Sequence, residues 1–305
     1  MTDLNAESSL GQGTREMPHC RVCGSDATVV ASIHGGYSGR DFSLARCARC
    51  GYAFIADPWL DFEQIYDERY YAGQGADRSL DYSFELEHPD TTIRAYEWRG
   101  IASVVREVAG PLGNSRWIDF GCGNGGLVRY LREHENVDAV GYDEGAIAGR
   151  AAEMGIPVSG RAALSDWAGT ADVVSAIEVL EHTYDPVAEL RTMRTLLRPG
   201  GLLFVTTGNA HAHANRLEKW RYVVPEIHIS FFEPRTLERA MTEAGFRAEF
   251  RSLGRGFDEI LTFKVLKSLR VRRRSAVTDV LPRRLIATIG DRIERLSEHP
   301  VGWAV

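Results

Sequence analysis

The sequence predicts an α/β protein: a mainly parallel sheet with helices on both faces, preceded by a small metal-binding module. Three observations lead there. From residue 116 onward, short apolar runs alternate with amphipathic stretches, the pattern of strands crossing over through helices. A glycine-rich turn, Gly121-Cys122-Gly123-Asn124-Gly125-Gly126, links the first apolar run, Trp117-Ile118-Asp119-Phe120, to a helix-spaced stretch holding Leu127, Val128, Tyr130 and Leu131. Two Cys-x-x-Cys-Gly knuckles, at Cys20–Gly24 and Cys47–Gly51, stand ahead of all this.

The chain has 305 residues, room for one large α/β domain plus a small module or extension. With 44% hydrophobic and 26% charged residues it can build an ordinary core. A net charge of -6 argues against a general nucleic-acid binder, whose phosphate affinity needs clustered Lys and Arg. The sequence has no apolar run of bilayer length and no basic-then-apolar leader, so a cytoplasmic protein is expected. Residues 1–17, small and polar, read as a disordered lead.

In each knuckle two residues separate the thiolates, which lets both sulfurs reach one tetrahedral zinc. A β-hairpin is expected between the knuckles, Thr28 to Ile33 and Phe42 to Arg46, turning around Gly35, Gly36 and Gly39. Disulfides do not suit a reducing compartment, and a redox Cys-x-x-Cys usually occurs once, beside a βαβ pattern. The expectation is therefore a structural zinc on Cys20, Cys23, Cys47 and Cys50, its coordination closed by four cysteines. The fifth cysteine, Cys122, reads as a small residue filling the glycine turn.

An aromatic segment, Tyr52 to Tyr82, follows, then a helix over 91–108. Strands are expected at 116–120, 138–142, 158, 172–177, 202–207 and 247–252, and helices at 127–134, 147–154, 187–197 and 234–244. Domain bounds are drawn accordingly: 18–60 a zinc-ribbon-like module, 61–110 a helical linker over the acceptor side, 111–255 the cofactor core, 256–305 a basic helical extension. In such sheets a ligand lies at the carboxyl ends of the strands.

The glycine turn fits two templates. Gly121, Gly123 and Gly126 satisfy the dinucleotide spacing Gly-x-Gly-x-x-Gly. Asp119 with Gly121, Gly123 and Gly125 satisfies Asp-x-Gly-x-Gly-x-Gly, the S-adenosylmethionine pattern. Asp143, ending the second strand, would take ribose hydroxyls in either case.

Two further motifs decide. One is the acidic strand tip Ile177-Glu178-Val179-Leu180-Glu181-His182, the other the Arg198-Pro199-Gly200-Gly201 turn into a fifth strand. Together with the glycine turn they resemble the class I S-adenosylmethionine-dependent methyltransferases over about residues 95–252. That resemblance implies a Rossmann-like seven-stranded sheet in the order 3-2-1-4-5-7-6. It places the backbone of Gly121 and Gly123 around the methionine part of the cofactor, in a turn that includes Asp119, Cys122 and Gly125. It gives Asp143 to the ribose; Ala163, Leu164 and Ser165, with Asp166 beside them, to the adenine; and Ile177 and Glu178 to the methionine end. The knuckles, Phe42–Cys47 and Ile65–Tyr71 also resemble the zinc-bearing methyltransferases of bacterial sugar and polysaccharide pathways. This implies a sugar acceptor carried on a nucleotide, a lipid or a glycan, methylated on oxygen or carbon.

Methyl transfer is an in-line displacement in which the protein aligns a nucleophile and removes its proton. Base candidates cluster at Glu178-x-x-Glu181-His182 and at His228. Glu178, Glu181, His182 and His228 also resemble the divalent-metal set of small-RNA-end 2′-O-methyltransferases, which implies a Mg²⁺ or Mn²⁺ chelating vicinal hydroxyls. The same acidic motif recurs in this class without metal, its acids touching the cofactor or capping a helix. His211 and His213 read as a polar loop, and Arg216, Lys219 and Arg221 as a solvated face or a phosphate contact. Tyr66, Tyr70 and Tyr71 read as core or as a surface for a sugar.

Residues 261–305 hold ten Lys or Arg against four Asp or Glu, dense at Arg272–Arg274 and Arg283–Arg284. A helix is expected over 256–269. Leu285, Ile286, Ile289, Ile293 and Leu296 form one apolar helical face, suited to covering the sheet, to a dimer contact, or to peripheral contact with an anionic membrane. Three rivals to a carbohydrate methyltransferase stay open: an RNA 2′-O-methyltransferase, disfavoured by charge, a non-enzymatic zinc-ribbon and Rossmann scaffold, and an NAD-dependent enzyme.

Overall fold

A computed structural model describes residues 17–78, 81–250 and 257–280. The elements in chain order are β1 (Ala27–His34), β2 (Asp41–Cys47), β3 (Ala53–Ile55), α1 (Phe62–Ile65), α2 (Glu68–Tyr71), α3 (Tyr82–Glu87) and α4 (Arg94–Ala109). Then follow β4 (Arg116–Phe120), α5 (Gly126–His134), β5 (Asp138–Tyr142), α6 (Ala146–Glu153), β6 (Val158–Ser159), β7 (Ala171–Ile177), α7 (Pro186–Leu196) and β8 (Leu197–Thr206). The last are β9 (Ser230–Phe231), α8 (Pro234–Glu243), α9 (Phe257–Ser268) and α10 (Ala276–Val280).

Five strands make a wholly parallel sheet in the order β6-β5-β4-β7-β8. Counted along the chain that is 3-2-1-4-5, the first five places of the expected order. The central strands are apolar because helices cover both faces: Ile118, Val174, Ala176 and Val205 are buried in one layer, Trp117, Ala139, Val173 and Phe204 in the other. Local signals set the helix ends. Asp185 caps α7 by accepting from the Ala188 N–H at 2.9 Å, with Pro186 at its first position, a cap contributing about 1 kcal/mol.

The remaining two places of the seven-stranded order are not filled among the described residues. The strand expected over 247–252 is absent at 247–250, and 251–252 lie outside the described residues. The expected strand over 202–207 is longer: β8 begins at Leu197, so the Pro199-Gly200-Gly201 segment belongs to the strand. Its register against β7 slips between Ala171 and Val173, which accommodates Gly200 at φ +80. The lead at 1–16 and the apolar helix around Leu285–Leu296 lie outside the described residues.

The front of the chain builds a second, antiparallel sheet in the order β1-β2-β3-β9. The hairpin is as expected, but its sheet is completed by Ser230 and Phe231, which pair with Phe54 and Ala53 from far along the chain. The cysteine module is thereby stitched to the core. Tyr52 donates to Ser230 Oγ at 2.6 Å, which passes its own proton to the Thr183 carbonyl at 2.8 Å. Val22 and Phe54 share an apolar cluster with Leu180, Val187 and Leu237. At the other end α9 packs along α4, burying Phe263 and Leu266 against Ile93 and Tyr96.

Candidate functional site

The carboxyl ends of β4, β5 and β7 open into one cavity of about 1960 Å³, walled on its far side by α1–α3 and α9. At the end of β4 the chain turns through Gly121, Gly123 and Gly125 at φ +74, +54 and +68. Side-chain-bearing residues pay roughly 1–2 kcal/mol there. A Cβ on Gly121 would also stand 2.6 Å from Val179. Gly126 is helical instead, and its bareness admits Trp98: a Cβ there would stand 2.1 Å from the indole. Glycine thus shapes the turn at the first three positions and lets α4 dock at the fourth.

Asp143, just past β5, lines the cavity and holds the turn in shape. Its two carboxylate oxygens accept the N–H of Gly123 at 2.8 Å and of Gly145 at 2.7 Å. Each oxygen keeps a further lone pair, the number needed for a vicinal diol. Burial raises its pKa above the usual carboxylate range against these N–H bonds. Asp119 lies beneath the turn, accepting from Ser175 Oγ at 2.6 Å, while Ser175 is held by Trp117 Nε1 at 2.8 Å. Burial pushes the Asp119 carboxyl up to about 7.

Five of the residues expected around the cofactor lie off the cavity lining. Leu164 does not border the cavity but is buried in the core with Ile118 and Val140, because the turn of Arg161–Leu164 points its apolar member inward. Ala163, Ser165 and Asp166 do not line the cavity either, whereas Arg161 does. Gly125 also stays out of the lining; its αL backbone starts α5, packed against Ile156 and Val158. Cys122 lines the cavity with its sulfur wedged against Gly141, and burial drives its thiol well above the usual range. Ile177 and Glu178 both border it.

The tip of β7 brings titratable side chains to the cavity. Glu178 sits at φ +53, a strained conformation for a residue with a side chain. Lys264 of α9 reaches it, Nζ to Oε1 3.3 Å. Burial pushes Glu178 up, but the charges of Lys264 and Lys267 outweigh that and hold it at about 2. Glu181 is enclosed and accepts from Tyr222 Oη at 2.5 Å and Thr207 Oγ1 at 2.7 Å. Burial, with the charge of Glu178 beside it, lifts Glu181 to about 8, so it is protonated at neutral pH.

His182 and His228 face each other with ring centroids 4.9 Å apart. Each donates Nδ1–H to a backbone carbonyl: His182 to Ile227 at 2.9 Å, His228 to Tyr222 at 2.5 Å. That bond sets the tautomer and leaves Nε2 as the lone-pair nitrogen. Tyr66 places its hydroxyl 3.0 Å from His182 Nδ1. Burial, then the neighbouring His228, lowers His182 to about 3; burial lowers His228 as well. Both rings line the cavity as neutral bases.

A divalent-metal set survives in part. One ligand atom each from Glu181, His182 and His228 lies within 4.8 Å of the others. Glu178 is not of the group; its two oxygens meet Lys264 Nζ and the Tyr222 hydroxyl, each at 3.3 Å. The cysteine cluster is complete: the four sulfurs of Cys20, Cys23, Cys47 and Cys50 lie within 4.8 Å of one another, with Cys20–Cys50 at 3.5 Å and Cys23–Cys47 at 3.6 Å. Those separations exceed a disulfide bond and approach the ~3.8 Å edge of a tetrahedron with Zn–S near 2.3 Å. Gly24 and Gly51, at φ +70 and +80, close the two knuckles by returning their N–H to the Cys20 and Cys47 carbonyls.

Residues outside the expected set matter as much. Tyr222 and Lys264 have no motif around them, and only the packing of α9 on α4 brings Lys264 to the strand tip. His211 and His213 stay out of the cavity; His213 stacks on Trp220 at 5.1 Å and His211 lies 3.5 Å from Glu233.

A parallel sheet ordered 3-2-1-4-5, with a glycine turn and an acidic residue at the second strand's end, defines a Rossmann-like domain that binds a nucleoside cofactor. The chain belongs to the methyltransferase-domain family: the family model described as "Methyltransferase domain" matches residues 93–249, just over half the chain, and the domain is of the class I S-adenosylmethionine-dependent kind. Among curated relatives, ubiquinone biosynthesis O-methyltransferase of Caulobacter sp. strain K31 is 39% identical over 133 residues, 39% of this chain and 53% of that protein. The protein of the same name from Parvibaculum lavamentivorans is 31% identical over 153 residues, 45% of this chain and 60% of that one. The chain thus spans about half the length of the curated relatives it matches. A solved S-adenosylmethionine-dependent methyltransferase from Archaeoglobus fulgidus superposes with a TM-score of 0.44 at 18% identity, covering 73% of this chain and 96% of that one. No helix among the described residues is long and apolar enough to cross a membrane.

The residues present fit the cofactor. Asp143 offers paired lone pairs for the ribose, and the bare backbone at Gly121 and Gly123 leaves space that a side chain would fill. Glu178 and Ile177 border the same cavity.

Proposed function

We propose that the protein transfers a methyl group from S-adenosylmethionine to a hydroxyl of a carbohydrate acceptor, using an imidazole as base. One observation carries the reading: two neutral histidines, anchored through Nδ1 on the Ile227 and Tyr222 carbonyls, line the cavity with the acidic strand tip, and neither Nε2 makes a hydrogen bond among the described residues. When bound, the cofactor supplies the electrophilic methyl group. Asp143 and the glycine turn hold its nucleoside part. One of the two rings, His228 or His182, accepts the acceptor's single hydroxyl proton, and the lowered pKa of His182 keeps that nitrogen free of a proton beforehand. Glu181, protonated and tied to Tyr222 and Thr207, fixes Tyr222, whose carbonyl in turn fixes His228. Tyr66, Tyr70, Tyr71 and Tyr82 line the cavity and supply flat aromatic faces for a sugar ring.

The names of the relatives favour a second reading, an acceptor from ubiquinone biosynthesis. Incubation with S-adenosylmethionine and separate panels of sugar nucleotides, glycan extracts and hydroxylated quinone precursors, read by mass spectrometry, separates the two. A product one methylene heavier in the sugar panels supports a carbohydrate acceptor; one only among the quinone precursors overturns it. A chain that binds no S-adenosylmethionine would be a scaffold.

The four-cysteine cluster is assigned a structural zinc on the strength of its sulfur spacing. The trio Glu181, His182 and His228 is read as base machinery rather than a Mg²⁺ or Mn²⁺ site, because burial and the Glu178 charge keep the Glu181 carboxyl neutral.

A further inference from the structure

His182 Nδ1 has two neighbours of opposite character. The Ile227 carbonyl accepts its proton at 2.9 Å, while the Tyr66 hydroxyl lies 3.0 Å away and is able to donate. An acceptor at Nδ1 leaves Nε2 bare; a donor there would move the proton to Nε2. The position of the Ile227 carbonyl therefore decides whether His182 presents a lone pair to the cavity. That carbonyl lies in a span held at both ends. On one side, Ile229 donates its N–H to the Glu181 carbonyl at 2.7 Å and accepts the Ile55 N–H of β3 at 3.0 Å. On the other side stands Glu226.

Glu226 does not line the cavity. It is 1% exposed, and its side chain reaches into the turn that joins β1 to β2. That turn is closed by the Gly35 N–H on the Arg40 carbonyl at 2.7 Å and the Gly39 N–H on the Gly35 carbonyl at 2.8 Å. Three donors converge on Oε1: the Tyr37 N–H at 2.9 Å, the Ser38 N–H at 3.1 Å and Ser38 Oγ at 3.1 Å. Successive N–H groups of a turn form a concavity that receives an anion. A Cβ at Gly35 would stand 2.4 Å from Oε1, so the bare glycine makes the room. Oε2 is enclosed and has no hydrogen-bond partner among the described residues. An enclosed oxygen without a partner costs stability, so packing alone does not account for a carboxylate here. We propose that Glu226 is a positioning residue: gripped by the β1–β2 turn, it holds the Ile227 carbonyl where that carbonyl fixes the Nδ1–H tautomer of His182. The turn thereby sets which nitrogen faces the cavity, although residues 35–40 do not line the cavity themselves. Calling His182 a base rests on the methyl-transfer reading; its tautomer does not.

Nitrogen NMR of the full-length protein, labelled with ¹⁵N in its histidines, reads the tautomer directly and needs no acceptor. At neutral pH His182, assigned by the loss of its signals in His182→Gln, should show a protonated Nδ1 and a bare Nε2. Glu226→Ala should replace that pattern with one in which the proton sits on Nε2 or is shared between the two nitrogens. Gly35→Ala, which displaces Oε1 from the side of the turn, should do the same. Glu226→Gln keeps an oxygen for the three donors and should restore the unaltered pattern. Circular dichroism of each variant reports folding. A merely structural contact would lower the thermal midpoint and leave the His182 signals of the folded protein unchanged. Unchanged signals in both Glu226→Ala and Gly35→Ala overturn the proposal, as does an Nε2-protonated His182 in the unaltered protein. If Glu226→Ala does not fold, Gly35→Ala and the milder Ser38→Ala decide the matter from the turn. If the tautomer shifts as expected but His182→Ala retains full methyl transfer, the positioning role stands and His182 is not the base.

Discussion

Glu178 and Glu181, three residues apart at one strand tip, are held in opposite protonation states. Lys264 keeps the first ionised at about 2, while burial and that first charge raise the second to about 8. Two carboxylates whose surroundings drive their affinities apart mark the chemical end of a cleft. Here the neutral member is also a joint: it holds Tyr222, and the Tyr222 carbonyl holds His228.

That joint makes stability depend on pH with a definite sign. The pKa of Glu181 is raised on folding, so its contribution is fully present below about 4.5 and is lost as pH rises through about 8. Glu181→Gln, which cannot ionise, should flatten the stability profile over that window. Denaturant melts at intervals between pH 4.5 and 8.5 check it; a variant whose profile parallels the original would show that Glu181 is not the group responsible. Glu178 runs the other way. Its lowered pKa contributes stability above about 4.5 that disappears as pH falls toward 2, so Lys264→Met should unfold at a higher pH on acidification.

The base reading is tested by the pH dependence of turnover. An ordinary histidine base loses activity below about 6.5, but His182 is lowered to about 3 and His228 is lowered too. kcat/KM should therefore hold nearly level from pH 7.5 down to about 5.5. His228→Ala and His182→Ala would show which ring acts: the acting base should lose about 10²–10⁴ in kcat with cofactor affinity retained. A single inflection near 6.5 in the unaltered enzyme would contradict the assignment.

Much of this was legible beforehand, and the exceptions have a common cause. Strands β4 and β5 fall on the residues expected, since buried parallel strands write continuous apolar runs between turn signals. Cysteine spacing foretold the sulfur cluster because ligands two residues apart are a local matter. What failed depends on distant partners. Ser230 and Phe231 form too short a strand for any periodicity, yet they pair with a strand some 180 residues earlier. Lys264 and Tyr222 are anonymous in the sequence; they become site residues because α9 docks on α4 and because the segment after β8 folds back over the strand tip. Leu164 was expected beside the adenine but packs in the core, because position in a motif says where a loop passes, not which side chain turns inward.

Asp143 is the residue on which cofactor binding should depend most. Asp143→Ala removes both ribose acceptors and leaves the N–H groups of Gly123 and Gly145 without their partner, loosening the glycine turn itself. A loss of about 10- to 100-fold in S-adenosylmethionine affinity follows from about 1.5–3 kcal/mol. Asp143→Asn keeps one acceptor and should fall between. Isothermal titration measures both; equal affinity in all three proteins would remove Asp143 from the site.

Zinc at the four cysteines should be structural, touching turnover only through the fold. Tetrahedral thiolate sites contribute about 10–16 kcal/mol of apparent binding energy to small folded modules. Because β9 ties that module to the segment carrying His228, losing the metal should reach the active site. Cys23→Ser or treatment with a strong zinc chelator should lower the thermal midpoint and release one metal per chain, measured with a chromogenic indicator. A mild Mg²⁺ and Mn²⁺ chelator that leaves zinc in place should not reduce methyl transfer. Activity lost in the mild chelator and restored by Mg²⁺ or Mn²⁺ would instead make Glu181, His182 and His228 a metal site, with the two Nε2 atoms as ligands rather than bases.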